Sequence, residues 1–159
     1  EEVMLPNGKK MLVDRVIFPE AVAVLPVLED GTAVLVWQYR PVIDKFILEA
    51  PAGVLRTGES PEEAALREME EETGYRGGDL VRVGSAYTSP GYSTEKLHLY
   101  VALGPKPGEA RPEEHEIIRV KRYGLRELAE MALRGELEDL KTIALVLAAR
   151  RILGGESEA

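Results

Sequence analysis

The stretch GVLRTGESPEEAALREMEEETGY, residues 53–75, decides how the rest of the chain is read. Ser60-Pro61-Glu62-Glu63 is a helix start: serine can cap, proline suits the first helical position, and Glu63 completes a capping box. The helix is expected to run to about Thr73 and to stop at Gly74, a natural left-handed terminator. On it Glu68, Glu71 and Glu72 stand at i, i+3 and i+4, so their carboxylates share one face. Seven glutamates fall between Glu59 and Glu72, and Arg67 is the nearby cation on that face. Like charges so placed cost helix stability. A solvated acidic face is one reading. A bound hard cation is the other, since Mg²⁺ or Mn²⁺ prefers oxygen ligands and keeps water.

Upstream, a turn at Asn7-Gly8 separates two short extended runs, the second covering Met11 to Ile17. Ala21 to Leu28 and Thr32 to Tyr39 are apolar, β-branched runs joined by Glu29-Asp30-Gly31, which predicts a hairpin of buried strands. Phe46 to Leu48 continues as a short strand before the turn-rich Pro51-Ala52-Gly53. Downstream, Leu80 to Ala86 and Lys96 to Leu103 read as strands. The second alternates, with Leu97, Leu99, Val101 and Leu103 on one face and His98 outward. Gly104 to Pro112 reads as a loop, Ile117 to Tyr123 as a strand and Leu125 to Arg134 as a short helix. Asp139 caps a last helix with Leu140, Ile143, Ala144 and Leu147 on one stripe. Mixed strands with interspersed helices predict an α+β fold, an α/β/α sandwich with a mixed sheet and an amino-terminal β-hairpin. Residues 1–19 form the hairpin and 20–155 the main domain.

The 159 residues fit one domain. Twenty Lys and Arg face twenty-eight Asp and Glu, a net charge of −8, which argues against nucleic acid or an anionic membrane as partner. The absence of cysteine excludes thiolate nucleophiles, disulfides and Cys-based zinc sites. No apolar run approaches the roughly 20 residues that span a bilayer, and no signal-peptide pattern is present. A cytoplasmic protein is the expectation. Asn7 and Gln38 are the only side-chain amides against a 30% charged fraction, a bias of the thermophilic kind.

Residues 53–75 also fit Gly-x5-Glu-x7-Arg-Glu-U-x-Glu-Glu-x-Gly-U, with U apolar, at Gly53, Glu59, Arg67, Glu68, Met69, Glu71, Glu72, Gly74 and Tyr75. This resembles the signature of the Nudix hydrolases, whose α/β/α sandwich the order of elements also resembles. The resemblance implies Glu68 and Glu72 as metal ligands and Glu71 as a further or water-mediated one. It implies that Arg67 orients the carboxylates and that Glu59 is an outer carboxylate. The implied chemistry is attack of water on a phosphorus of a nucleoside diphosphate linked to a moiety X, with Mg²⁺ or another divalent cation bound.

Three further segments resemble the ADP-ribose pyrophosphatases of that family. Pro90 stands 16 positions after Gly74, in Ser89-Pro90-Gly91. Gln38-Tyr39-Arg40 and Glu49-Ala50-Pro51-Ala52-Gly53 resemble two upstream segments. They imply Arg40 as a phosphate or terminal-ribose clamp, Glu49 and Pro90 in substrate binding, and the Ala52 carbonyl as a metal ligand. Pro112 to Ile118 resembles an acidic loop that carries the catalytic base. Glu114 aligns with the base and Glu116 with a metal ligand, while Glu113 could take either role. His115 makes no zincin motif, because Arg119 stands where a second histidine is needed.

The implied activity is Mg²⁺-dependent hydrolysis of ADP-ribose to AMP and ribose 5-phosphate. Another nucleotide sugar or a dinucleotide as substrate, or a non-catalytic nucleotide sensor, are the alternatives. Intact Glu68, Glu71 and Glu72 count against the sensor. The resemblance further implies a homodimer, its adenosine pocket built partly by the hairpin, with Phe18 as the stacking contact. Trp37 reads as core rather than as an adenine platform.

Overall fold

In this computed structural model residues 1–114 and 116–154 are described; His115, and Gly155 at the end of the expected domain, lie outside them. The hairpin pairs β1 (Glu2–Met4) with β2 (Lys10–Leu12). Then follow β3 (Ala21–Val27), β4 (Thr32–Arg40), β5 (Lys45–Glu49) and β6 (Ala52–Val54), the helix α1 (Pro61–Thr73), and the short β7 (Tyr75–Arg76). Next come β8 (Asp79–Tyr87), β9 (Lys96–Leu103), β10 (Lys106–Pro107), β11 (Ile118–Gly124), α2 (Leu125–Leu133) and α3 (Leu140–Gly154).

The main sheet has the order β11-β4-β3-β9-β8, with β5 paired to β4 and β6 to β3. β3 and β9 run parallel and the other pairs antiparallel, so the sheet is mixed. β3 is buried along its whole length because both faces are covered. Ala21, Ala23, Leu25 and Val27 pack in one core with Leu128 of α2 and Leu145 and Val146 of α3. Val22 and Val24 pack in the other with Ala64, Ala65 and Met69 of α1. The α/β/α sandwich is thereby realised: α1 on one face, α2 and α3 on the other.

Several local expectations are corrected by long-range pairing. The second extended run stops at Leu12, and Val16 instead meets the 92–94 loop, its N–H on Tyr92 O at 2.7 Å and its carbonyl taking the Thr94 N–H at 3.0 Å. Ala52-Gly53 is strand, not turn: Ala52–Val54 pairs antiparallel with Ala21–Ala23, and this pairing overrides the weak β preference of Ala and Gly. The 104–112 loop contains β10, paired with β7. His98 is buried, because β9 lies between β3 and β8 and both its faces are covered; Tyr100 and Ala102 share the α1 core. Trp37 is exposed. Ala33 and Leu35 belong to the α2–α3 core, whereas Trp37 lies further along β4 and stacks on Phe46, with ring centroids 6.1 Å apart. The last helix buries Thr142, Leu145, Val146 and Ala149 and exposes Leu140, Ala144 and Leu147. The Thr142 hydroxyl fixes that rotation by accepting the Ala50 N–H at 2.7 Å.

Candidate active site

α1 forms as its ends dictate. Ser60 Oγ accepts the Glu63 N–H at 3.2 Å and Glu63 Oε2 accepts the Ser60 N–H at 2.8 Å, while Gly74 ends the helix at φ 78°. This delivers Arg67, Glu68, Glu71 and Glu72 beside β6. All five N–H donors of Arg67 are engaged. Nε and Nη2 grip Glu59 at 2.7 and 2.9 Å, Nη1 reaches Glu68 at 2.5 Å and Glu71 at 3.0 Å, and Nη2 also reaches the Val54 carbonyl at 3.1 Å. The bidentate partner is therefore Glu59, and Arg67 holds Glu68 and Glu71 from that anchor. Its hydrogen bonds pull the Glu59 pKa down to about 2. Arg67 is not the sole cation here: Arg56 Nη2 also reaches Glu71, at 3.1 Å.

Among the described residues Glu72 has no such partner. Its carboxylate is 2% exposed and accepts the Ala52 N–H at 3.3 Å. Burial first, then the charges of Glu68 and Glu116, push its pKa up to about 9. Glu68 is raised too, again chiefly by burial, with Glu71 and Glu116 adding to it against the opposing pull of Arg67. Gly53 is the floor beneath it: a β-carbon there would stand 2.0 Å from Glu68 Oε1. A buried carboxylate with no cation bonded to it, beside a half-buried one held by Arg67 and faced by a third, is what a hard divalent ion neutralises. Among the described residues no group of three acids or histidines already forms a metal cage.

Beside Ala52 and Gly53 opens a cleft of about 560 Å³, lined also by Arg40, Thr88, Asp139 and Lys141. Arg40 grips buried Glu49 by Nε and Nη2, both at 2.6 Å, and Lys141 Nζ shares the same carboxylate at 2.6 Å. Burial alone would raise the Glu49 pKa, but these two cations hold it below the usual carboxylate value. Of the sequence-predicted residues, Arg40, Glu49, Ala52, Arg67, Glu68, Glu71 and Glu72 therefore gather in one region. Glu116 faces Glu68 and Glu72 electrostatically, and its carboxylate accepts the Glu113 N–H at 2.9 Å. Glu114 lies exposed on the same loop. Pro90 lines a neighbouring groove with Asp14, Arg15 and Tyr92, and Phe18 is exposed beside it, its N–H on Thr94 Oγ1 at 2.9 Å. Sequence reasoning gave Asp139 only a capping role and missed Lys141, which belongs to no motif.

The NUDIX domain pattern matches residues 17–146. The chain belongs to the Nudix family. An ADP-ribose pyrophosphatase of Bacillus subtilis (strain 168) is 40% identical over 144 residues, covering 89% of this chain and 78% of that protein. A methanol dehydrogenase activator of Bacillus methanolicus is 39% identical over 148 residues, covering 92% and 80%. A crystal structure of an ADP compounds hydrolase superposes with a TM-score of 0.84 over 99% of this chain and 86% of its own, at 24% identity, and so shares the Nudix fold. The chain is thus a Nudix hydrolase, and enzymes of the family work with divalent cations. The oxygen-donor set around Glu68 and Glu72 suits one.

Proposed function

We propose that this Nudix hydrolase cleaves the pyrophosphate of ADP-ribose to AMP and ribose 5-phosphate, with Mg²⁺ as the cation. The observation that carries the reading is the meeting of two features at Ala52 and Gly53: Glu68 over Gly53 with Glu72 on the Ala52 N–H, and the Glu49-held Arg40, which lines the cleft beside them and faces the charge of Glu72. Similarity to a protein named ADP-ribose pyrophosphatase supports it.

Glu68, Glu72, Glu116 and the Ala52 carbonyl hold the cation, with Glu71 direct or through water. The bound cation supplies neutralisation of the pyrophosphate charge and a more acidic attacking water. Arg67, anchored on Glu59, keeps Glu68 and Glu71 oriented. Arg40 binds substrate phosphate with the guanidinium edge that Glu49 leaves free, a geometry suited to a planar fork. Glu114 takes the proton as the water oxygen bonds to phosphorus and the bond to the bridging oxygen breaks. Pro90 shapes the loop beside the cleft. Two chains form a homodimer through residues 1–19, and Phe18 stacks on adenine in a pocket they share. The enzyme works in the cytoplasm of a thermophile.

The test compares hydrolysis of ADP-ribose, ADP-glucose, GDP-mannose and NADH, each with Mg²⁺ and with EDTA. ADP-ribose should show the highest kcat/KM and EDTA should abolish it. Preference for any of the other three would overturn the ADP-ribose reading. Tight binding with no hydrolysis would favour a sensor.

A further inference from the structure

We propose that Lys141 is a substrate-binding residue that forms, with Arg40, a two-cation clamp on the phosphate leaving with the sugar. The proposal rests on the ADP-ribose reading and adds to it a subsite that no motif marks.

Glu49 is the hub. Its Oε1 accepts Arg40 Nε, and its Oε2 accepts both Arg40 Nη2 and Lys141 Nζ, all at 2.6 Å. Lys141 Nζ also reaches Asp139 Oδ1 at 2.9 Å. A guanidinium has five N–H groups and an ammonium three. Among the described residues two of each are engaged, all on these acids, so Arg40 retains three and Lys141 one, on side chains that both line the cleft. Four donors on two cations whose acid partners are already satisfied make a wall suited to an acceptor-rich anion, and phosphate is such an anion.

Charge bookkeeping points the same way. Arg40 and Lys141 balance Glu49 and Asp139, so this wall is neutral as a whole. Without Lys141 it would carry a net negative charge toward a polyanionic substrate, at contact range where salt screens repulsion little. The Lys141 side chain is only 16% exposed, so its ammonium is held in place before substrate arrives.

A purely structural tie between α3 and β5 would leave this arrangement redundant. The tie already exists through Thr142, which accepts the Ala50 N–H and donates to Asp139. Glu49 likewise already has a bidentate partner in Arg40. The position of the subsite follows from the other wall of the cleft. There, Thr88 and Ser89 belong to the loop that is bonded to the Phe18 segment through Thr94, the side assigned to adenosine. The α3 side is left for the ribose 5-phosphate half.

The test uses the full chain as wild type, Lys141→Met and Lys141→Arg. Calorimetry in EDTA measures ribose 5-phosphate and AMP binding, and steady-state kinetics with Mg²⁺ measures ADP-ribose turnover. Lys141→Met should weaken ribose 5-phosphate binding and raise the ADP-ribose KM by about tenfold to a hundredfold, the scale of one charge-assisted hydrogen bond. The AMP affinity and kcat should stay within about threefold, and Lys141→Arg should recover most of the loss. Unchanged ribose 5-phosphate affinity, equal weakening of AMP, or a wild type that does not bind ribose 5-phosphate would each overturn the clamp. A lower melting temperature with KM unchanged would reduce Lys141 to a structural tie. Failure of the wild type to hydrolyse ADP-ribose would sink the functional reading alone, because the calorimetry needs no turnover.

Discussion

At Gly53 and Glu72 single atoms decide whether the site can form. A methyl at Gly53 would land on the Glu68 carboxylate, yet the obstructing group is the end of a flexible side chain rather than backbone. Gly53→Ala should therefore fold with a melting temperature within a few degrees of wild type, while kcat falls by about 10²-fold, the scale expected when a reacting group is misplaced by about 1 Å. Normal kcat in that variant would show that Glu68 acts from elsewhere. Glu72 carries opposite signs for stability and activity. Its pKa is raised from an ordinary 4.5 to about 9, so the folded state holds its proton more tightly than the unfolded one. That contribution to stability is complete below about pH 4.5 and is lost as pH rises toward 9. Glu59, lowered to about 2, acts only below that window: its contribution is present above 4.5 and is lost as pH falls toward 2. In EDTA the melting temperature should decline between pH 5 and 9, and added Mg²⁺ should reverse the decline. Glu72→Gln should flatten that profile and raise the metal-free melting temperature at pH 8, while lowering kcat at least about 10²-fold. Scanning calorimetry across pH with parallel kinetics checks both signs.

Elements differ in how far their own residues specify them. α1 was legible to within a residue because its signals are local: Ser60, Pro61 and Glu63 at one end, Gly74 at the other. The carboxylate spacing was legible for the same reason, since it follows from helix periodicity. α3 was legible as a helix but not in its rotation. It is apolar on more than one side, and the choice is made by Thr142 bonding Ala50, a residue far away in sequence. His98 and Trp37 were misread on strands because burial depends on which neighbours a strand acquires, not on its own alternation. Lys141 escaped notice because its partner, Glu49, meets it only through the fold. Gly74 combines both kinds of constraint. It sits at φ 78°, and a β-carbon there would stand 2.8 Å from the Ala110 backbone nitrogen. That nitrogen belongs to the 108–111 segment, which bonds α1 through the Arg111 N–H and the Glu71 carbonyl at 2.7 Å. Gly74→Ala should cost roughly 1–3 kcal/mol in urea unfolding, from left-handed strain and displaced backbone together. Because the same segment leads to Glu116, kcat should fall as well. A change below about 0.5 kcal/mol, the usual range of a surface substitution, would remove this contact from the fold's constraints.

For the whole molecule the amino-terminal hairpin is the part with the least support of its own. β1 and β2 pair only with each other among the described residues, and a two-stranded hairpin is marginal in water. In the hairpin and the segment after it, Leu12 and Ile17 are 79% and 76% exposed, and Met4, Met11, Val16 and Phe18 are exposed with them. So much apolar surface on one short segment favours association, since the hydrophobic gain scales with the area removed from water. Under the proposed homodimer a second copy would cover this surface. Light scattering of the full chain should give twice the monomer mass, and a variant lacking residues 1–19 should give the monomer. The interface should bury at least the roughly 1,600 Å² of a stable complex. If adenine is held between subunits, the shortened monomer should lose affinity for AMP and ADP-ribose but not for ribose 5-phosphate, whose proposed subsite is on the α3 side. A full-length monomer with normal ADP-ribose affinity would overturn the shared pocket, and Phe18 would then be a packing residue of its own chain.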